Sequence, residues 1–388
     1  MNKQLLVPDT VAYGGDAVGR LASGKAAFVP RALPGEELEI SVTQEKKSFV
    51  RGRIETICKA APERQVPECD VFQYDDCPGC AYLHCDYSAE LHWKQQQLIN
   101  FLCRSNLVDR ECILPPFPAP QRFGSRNKVK LRADAAGNLC MVGRDNSSLI
   151  PVKRCLLLHE EINRALADFK AVPESVVCWR YTGHDGVTLI PEHGAKKLDW
   201  LTETVPGYGK FKVPADGFFQ TNTAVAAELV RRAIAELQKC AAQTLTELYC
   251  GVGVFSIAAA EAMPHLHTVG VEINPAAIKC ARWNAKKHNV DARCRFYSGD
   301  AALLAAKYFM PGSVLLLDPP RNGLAPRALR AVAGIEPERI IYISCAPDTL
   351  RRDIELLGRA GWQVESAGLL DMFPGTAHFE SMAALIKR

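Results

Sequence analysis

Leu248-Tyr249-Cys250-Gly251-Val252-Gly253-Val254 sets two glycines between an apolar strand-like run, Thr244 to Tyr249, and an apolar helix-like run, Val254 to Ala262. Glycines at such a junction let the backbone turn tightly and let a ligand approach it closely. The same alternation continues on both sides of this junction, from about Pro214 onward. Further buried-type strands are expected at His267 to Ile273, Ala292 to Ser298, Val314 to Leu317 and Arg339 to Ser344. Helices are expected through Pro275 to His288, Ala301 to Tyr308, Pro326 to Val332 and Pro347 to Arg359. Strands alternating with helices predict an α/β fold with a doubly wound parallel sheet, whose ligands bind at the carboxyl ends of the strands. Trp362 to Leu370 and Ser381 to Ile386 follow with no helix between them, which predicts a final antiparallel edge and seven strands in all.

Three acids fall at consecutive strand ends. Glu272 lies 19 residues after Gly253, where a carboxylate can accept hydrogen bonds from both ribose hydroxyls; Asp300 ends the third strand and Asp318 the fourth. The third glycine of the dinucleotide fingerprint is replaced by Ser256, and no P-loop lysine is present. Taken singly, each glycine merely permits a turn and each acid caps a helix. Jointly, Gly251, Gly253 and the three acids suit an adenosine ligand without a pyrophosphate, and S-adenosylmethionine meets that description.

Asp318-Pro319-Pro320-Arg321 follows the fourth strand, and Ile341-Tyr342-Ile343-Ser344-Cys345 closes the fifth. Cys345 therefore stands at the carboxyl edge of the sheet and at the start of a helix, where the helix dipole is expected to lower a thiol pKa. A buried, inert cysteine is the alternative. Glu380 lies between the last two strands, where a solvated loop carboxylate is the ordinary outcome. One chemical requirement joins the pair. Carbon 5 of uracil is a poor nucleophile, so a thiolate must add to carbon 6 before carbon 5 can take a methyl group. A base must then remove the carbon 5 proton so that the thiolate can leave. Cys345 is the candidate nucleophile and Glu380 the candidate base.

With 388 residues, at roughly 150 per domain, the chain should divide into two or three domains. Its 48% hydrophobic and 23% charged residues exclude collagenous, disordered and supercharged classes. No long apolar run follows a basic start, and the most apolar stretch, Cys250 to Ala260, is bounded by Glu247 and Glu261, so neither a signal peptide nor a membrane span is expected. Fifteen cysteines spread over the whole length fit a reducing cytoplasm better than a secreted disulfide framework. Net charge is only +4, yet residues 121–154 hold eight basic side chains against two acidic ones. Within that segment Arg126, Lys128, Lys130 and Arg132 are the candidates for phosphate contact, with a solvated strand face as the alternative.

Residues 1–58 read as short strands broken by glycine and proline: Gln4 to Val7, Ala26 to Val29, Glu37 to Thr43 and Phe49 to Ile57. Such a pattern predicts a small closed barrel. Cys69, Cys77 and Cys80 then place three thiols within twelve residues, with Cys155 a distant fourth and Cys85 an alternative fourth. Four thiolates satisfy either zinc or an iron-sulfur cluster, and spacing alone does not choose. A helix from Tyr87 to about Asn106 and a strand-rich stretch from about 120 to 213 complete the central part.

The chain resembles the RNA 5-methyluridine methyltransferases, a class I S-adenosylmethionine-dependent family with a Rossmann-like catalytic domain. The matching stretches are Gly217-Phe218-Phe219-Gln220-Thr221-Asn222, Tyr249-Cys250-Gly251-Val252-Gly253, Asp318-Pro319-Pro320-Arg321, Ser344-Cys345, and Asp371-Met372-Phe373-Pro374 with Glu380. The resemblance implies that Gln220, Tyr249, Glu272, Asp300 and Asp318 contact the methyl donor, that Cys345 is the nucleophile and that Glu380 accepts the proton. It also implies a 4Fe-4S cluster on Cys69, Cys77, Cys80 and Cys155, and a TRAM module, an OB-type barrel, at the amino terminus. The expected organisation is a TRAM domain over 1–58, a central iron-sulfur and RNA-binding domain over 59–213 with helix 87–106 free to pack on the catalytic part, and a methyltransferase domain over 214–388. The expected substrate is ribosomal RNA ahead of transfer RNA, handled by a monomer; a non-catalytic RNA-binding factor retaining the fold is the rival. Val254 and Ala346 stand where the family usually has asparagines, so contacts at the cofactor and after the nucleophile are lost or replaced.

Overall fold

The computed structural model describes residues 3–73, 77–104, 107–190, 200–309 and 312–387. Its largest sheet grows from the glycine junction. Seven strands, Thr244–Leu248, His267–Glu272, Cys294–Ser298, Val314–Leu317, Arg339–Ser344, Trp362–Leu370 and Glu380–Lys387, lie in the spatial order third, second, first, fourth, fifth, seventh, sixth. The first five are parallel. Val314–Leu317 and Arg339–Ser344 are buried at every position, as strands covered by helices on both faces must be. The covering helices Val254–Ala262, Pro275–Lys287, Ala301–Tyr308, Pro326–Gly334 and Pro347–Gly358 agree with the sequence alternation to within two residues.

One element of this part is unexpected. A helix, Thr223–Lys239, precedes the first strand; Asn222 caps it by accepting the Val225 N–H, and Val225, Leu229 and Leu237 pack in one core with Leu245 and Leu316. The last two strands form the expected antiparallel edge, with Glu380–Lys387 lying between the fifth and the sixth and Trp362–Leu370 outermost. The apolar run Met382-Ala383-Ala384-Leu385 is buried throughout, and such a run on an exposed edge would invite aggregation.

The amino-terminal sheet has six strands, adding a hairpin, Pro8–Val11 with Ala17–Arg20, to the four expected. Its two outer strands, Lys3–Leu6 and Pro8–Val11, are joined through Val7 alone, so the sheet curls back on itself around Leu6, Ala27, Leu38 and Ile40. The central part contains a five-stranded antiparallel sheet covered by the helix Glu160–Ala167. The hairpin Trp200–Val205 with Gly209–Pro214 packs elsewhere: Leu201, Val205, Phe211 and Val213 share a core with Val252, Ile257 and Ile278 of the large sheet's helical layer. Among the described residues no helix is long and apolar enough to cross a membrane.

The helix Tyr87–Cys103 starts at Asp86, whose carboxylate accepts the Ala89 N–H; positions 105 and 106 of its expected span lie outside the described residues. Leu98 and Leu102 bury against Leu315, Leu317 and Ile340. Its polar side is buried too. Lys94, fully buried, donates to Glu90 at 2.7 Å, to Asp371 at 2.8 Å and to the Phe373 carbonyl at 3.2 Å. Burial alone would drag the ammonium down, and the two carboxylates outweigh it and hold its pKa above the ordinary value. Tyr87 donates to Asp371 at 2.9 Å and Arg122 to Glu90 at 3.0 Å, so every charge in the group is partnered. Replacing Lys94 with Met strands two carboxylates in the interior, and should destabilise the protein by about 3–5 kcal/mol in denaturant unfolding.

Candidate active site

The glycine turn is a run of left-handed backbone: Tyr249 has φ 67°, Gly251 φ 53° and Gly253 φ 83°. A Cβ on Gly253 would strike the Phe296 ring at 2.7 Å, whereas one on Gly251 would meet nothing, so Gly251 borders open space. Tyr249 is held in this uncommon conformation by its N–H donating to the Val271 carbonyl at 2.8 Å, which ties the turn to the second strand. Ser256, in place of the third glycine, donates to the buried Glu247 through its N–H at 3.0 Å and through its hydroxyl. Burial pushes the Glu247 carboxyl up to about 8.

The predicted acids divide. Glu272 accepts the Gly251 N–H at 3.3 Å and the Asn274 N–H at 2.8 Å, so it braces the turn with one oxygen on each side. Asp300 is exposed and caps the next helix through the Ala302 N–H at 2.7 Å. Asp318 is raised to about 7 by burial and by the nearby Glu272 carboxylate. Gln220 is half-buried in the loop before Asn222, next to Phe219, which packs in one cluster with Cys250 and Val252 of the glycine turn.

The inserted last strand decides the geometry of the reactive pair. The ladder ends with Ser344 opposite Ser381, which leaves Cys345 and Glu380 next in line on the adjoining strands, near enough for the Glu380 carboxylate to act on the Cys345 thiol. Glu380 is not a solvated loop group: it is 3% exposed and its Oε2 has no hydrogen-bond partner. Burial and the Asp318 carboxylate hold its pKa well above the usual range, with Arg321 opposing. The expected lowering of the Cys345 thiol does not occur. Burial, then Glu380, push it up to about 11 against Arg321. The helix dipole gives little here, because the first helical residue is Pro347, which has no N–H, and Ala346 provides no side-chain cap. The Ser344 hydroxyl accepts the Ala346 N–H at 3.1 Å. Val254, the other departure, packs against apolar neighbours at the start of its helix.

Side chains from far away in sequence close the site. Tyr13, in the amino-terminal sheet's hairpin turn, lies 3.4 Å by its hydroxyl from His378 Nδ1 and packs edge-on against Phe379, with ring centroids 5.9 Å apart. Cys345, Glu380 and Arg321 all act on its hydroxyl, which burial raises to about 12. His378 is pushed down to about 4 by burial and by Arg321, Lys94 and Arg126, so it is neutral at physiological pH. The cysteine loop pins the same segment: Ala81 and Tyr82 both donate to the Gly375 carbonyl, at 2.8 and 3.2 Å.

The thiols of Cys69, Cys77 and Cys155 all act electrostatically on Cys80, whose own thiol is raised chiefly by burial. The four therefore converge, although among the described residues no group of three or more His, Cys, Asp or Glu is arranged to hold a metal ion. Cys85 is turned away, fully buried and donating to the Tyr82 carbonyl at 3.3 Å.

Residues 304–388 match the tRNA (Uracil-5-)-methyltransferase family, residues 241–314 a methyltransferase domain and residues 5–54 the TRAM domain. Over 98% of its length the chain is 30% identical to the 23S rRNA (uracil(1939)-C(5))-methyltransferase RlmD of Pseudomonas putida, covering 93% of that protein. It belongs to the RNA uracil-C5 methyltransferase family. This methyltransferase is also 27% identical to an uncharacterized RNA methyltransferase of Halalkalibacterium halodurans, over 99% of the chain and 98% of the relative. Its fold matches the crystal structure of Pyrococcus abyssi tRNA (uracil-54, C5)-methyltransferase in complex with S-adenosyl-L-homocysteine, with TM-score 0.74, 22% identity, and 98% and 99% of the two chains covered.

The predicted phosphate-binding residues of the methyltransferase separate as well. Lys130 and Arg132 point outward from the strand Lys128–Ala133, and exposed Arg126 leads from its start towards His378. Lys128, half-buried, donates to the carbonyls of Asp216 at 3.2 Å and Gly217 at 3.0 Å, where with buried Arg180 it braces the turn before Gln220. Tyr13, His378, Arg321 and the Lys94 group escaped sequence reasoning; Arg321 and Asp371, each inside a quoted motif, carried some signal. Alkylation of Cys345 by iodoacetamide, read by peptide mass spectrometry, should be slow at pH 7 and rise about tenfold per pH unit towards a midpoint near 11. Glu380→Gln should move that profile to lower pH, and a wild-type midpoint below 8 would contradict the burial argument.

Proposed function

We propose that this enzyme transfers a methyl group from S-adenosylmethionine to carbon 5 of a uridine in 23S ribosomal RNA, through a covalent bond between Cys345 and carbon 6. The observation that carries the reading is a buried Glu380, one of its oxygens without a hydrogen-bond partner, acting on the Cys345 thiol just beyond the end of the ladder between their two strands. The donor supplies the methyl group as an electrophile. Around it, Gly251 and Gly253 leave room for its backbone approach, Glu272 takes the ribose, and Tyr249, Asp300, Asp318 and Gln220 line the remainder. Three carboxylates at this edge favour a cationic ligand.

In the reaction the Cys345 sulfur adds to carbon 6, and the electron pair released into the ring carries carbon 5 onto the methyl group. Glu380 then takes the proton from carbon 5, the ring double bond re-forms and the sulfur leaves. A carboxylate with a raised pKa is a stronger base, which suits this proton transfer. The thiol at about 11 must also lose its proton, so both groups favour the reaction as pH rises. A stacked or paired uridine has to flip out to reach the sulfur. The identity with a ribosomal RNA enzyme over nearly the whole chain supports ribosomal over transfer RNA as substrate.

The cluster belongs to the same reading. Cys69, Cys77 and Cys155 all act on the Cys80 thiol, and four thiolates brought to one place suit an iron-sulfur cluster. Cys69, Cys77, Cys80 and Cys155 would hold it, and its role is to fix the loop that grips Gly375. All fifteen cysteines are free, which fits the cytoplasm, and one chain carries every proposed site residue, which fits a monomer.

RNA carrying 5-fluorouridine has no removable proton at carbon 5, so with S-adenosylmethionine it should trap a protein–RNA adduct visible on a denaturing gel and absent in Cys345→Ala. Absence of an adduct on every ribosomal and transfer RNA tested would defeat the covalent mechanism. Anaerobically purified protein should show broad visible absorption that Cys80→Ser abolishes; a colourless protein containing zinc would exclude the cluster.

A further inference from the structure

The methyltransferase half carries an array of cations and indoles that the chemistry above does not use. The Lys212 ammonium lies between two indoles, 5.0 Å from the Trp200 ring and 5.0 Å from the Trp283 ring. Lys279 sits 5.4 Å over Trp200 and Lys287 5.4 Å over Trp283, so the order along the surface is Lys279, Trp200, Lys212, Trp283, Lys287. None of the three lysines forms an ion pair with a described carboxylate. Trp283 is 41% exposed, an unusual position for the side chain with the most apolar surface to hide.

The array is built rigidly. Trp200 and Lys212 lie on the same face of the hairpin, diagonal across the pairs Trp200 with Pro214 and Thr202 with Lys212. Fully buried Asn284 accepts the Lys212 N–H at 2.7 Å and donates to the carbonyls of Lys212 at 3.0 Å and Val252 at 3.1 Å. One amide thus locks the hairpin to the helix Pro275–Lys287 and to the glycine turn. Beside Trp283 opens a surface depression of about 400 Å³, where Arg282, Lys286 and Arg295 face one carboxylate, Asp291. Arg282 is fixed at its wall by two bonds to the Phe296 carbonyl, at 3.1 and 2.7 Å.

We propose that this face is a second RNA-docking site, outside the catalytic cleft, that holds a flanking stretch of the substrate RNA. The proposal rests on RNA being the substrate. Eight residues of helix separate Lys279 from Lys287, about 12 Å, which at 3.4 Å of axis per phosphate faces three or four phosphates of one strand. Cations alternating with indoles, of which Trp283 is exposed, suit a sugar–phosphate backbone with an unpaired base stacked on Trp283, and a depression of this size admits one base. Because the hairpin is locked to the glycine turn, RNA held here is held at a fixed distance from the methyl donor.

Binding of a large-subunit ribosomal RNA fragment, measured by fluorescence anisotropy across a salt series, tests this directly. The double variant Lys279→Gln/Lys287→Gln should lose about tenfold in affinity at 0.15 M salt, and the slope of log K against log[salt] should become shallower by about 1.4–1.8. Trp283→Ala should lose roughly fivefold or more, with Trp283→Phe recovering most of it. All variants should keep wild-type thermal stability and wild-type methylation of a short stem-loop, since the face touches neither donor nor target base. An unchanged slope and affinity in the double variant overturns the proposal, as does an effect on anionic lipid vesicles with RNA binding intact. Wild-type protein that methylates no RNA would instead defeat the functional reading on which the proposal stands.

Discussion

A single ammonium group, buried between two carboxylates, holds the base-bearing loop in place. Lys94 joins Glu90 on its own helix to Asp371 at the end of the sixth strand, in a region with no access to water. Such a group tolerates no missing partner, because each charge left alone would carry its full desolvation cost. Glu90 in turn accepts the Gly375 N–H at 2.5 Å, and the Gly375 carbonyl takes two N–H groups from the cysteine loop. Helix, cysteine loop and the segment between the last two strands therefore move as one body. Glu380 begins only five residues beyond Gly375, so its position beside Cys345 is inherited from this body and from the strand register together.

The electrostatics of the cleft follow from the same burial. Asp318 and Glu380 are both raised, while Arg321 is the cation that acts on both Glu380 and Cys345. A resting site of this kind keeps its thiol protonated and unreactive. Storing such unfavourable burial at a functional site is the usual exchange of stability for activity.

Most of the fold could be read from the chain because its signals are local. Two glycines after an apolar run, helices beginning at Asn, Asp or Pro, and strands apolar at every position each announce themselves within a dozen residues. The glycine turn and the three acids were legible for the same reason. What escaped depends on long-range geometry. Nothing in Ser381 to Ile386 says that this strand inserts beside the fifth, and only that insertion turns Glu380 from a surface group into a buried one beside Cys345. The strands Pro8–Val11 and Ala17–Arg20 carry Pro8, Asp9 and Gly19, residue types that argue against a strand. Lys128 looks like its neighbours Lys130 and Arg132 in a charge count, and only the packed turn at Asp216 and Gly217 distinguishes it. Lys94 and Asp371 are 277 residues apart, and no local pattern relates them.

These distances in sequence also explain why the catalytic sheet does not stand alone. Cys345 and Glu380 adjoin one another only while the last strand keeps its register with the fifth, and slipping by one residue would send Glu380 to the opposite face of the sheet. The ladder itself fixes that register from Ile340 to Ser344. Beyond it the chain leaves the sheet through Phe373, Pro374 and Gly375, where no ladder operates and where the cysteine loop, Glu90 and Tyr13 make their contacts. The amino-terminal sheet and the cysteine segment thus supply, at the unladdered end, the constraint that strand pairing supplies elsewhere. Tyr13 meets His378 and Phe379, and Ala81 and Tyr82 bind the Gly375 carbonyl, so the amino-terminal hairpin and the cysteine loop both fix the segment that leads into Glu380.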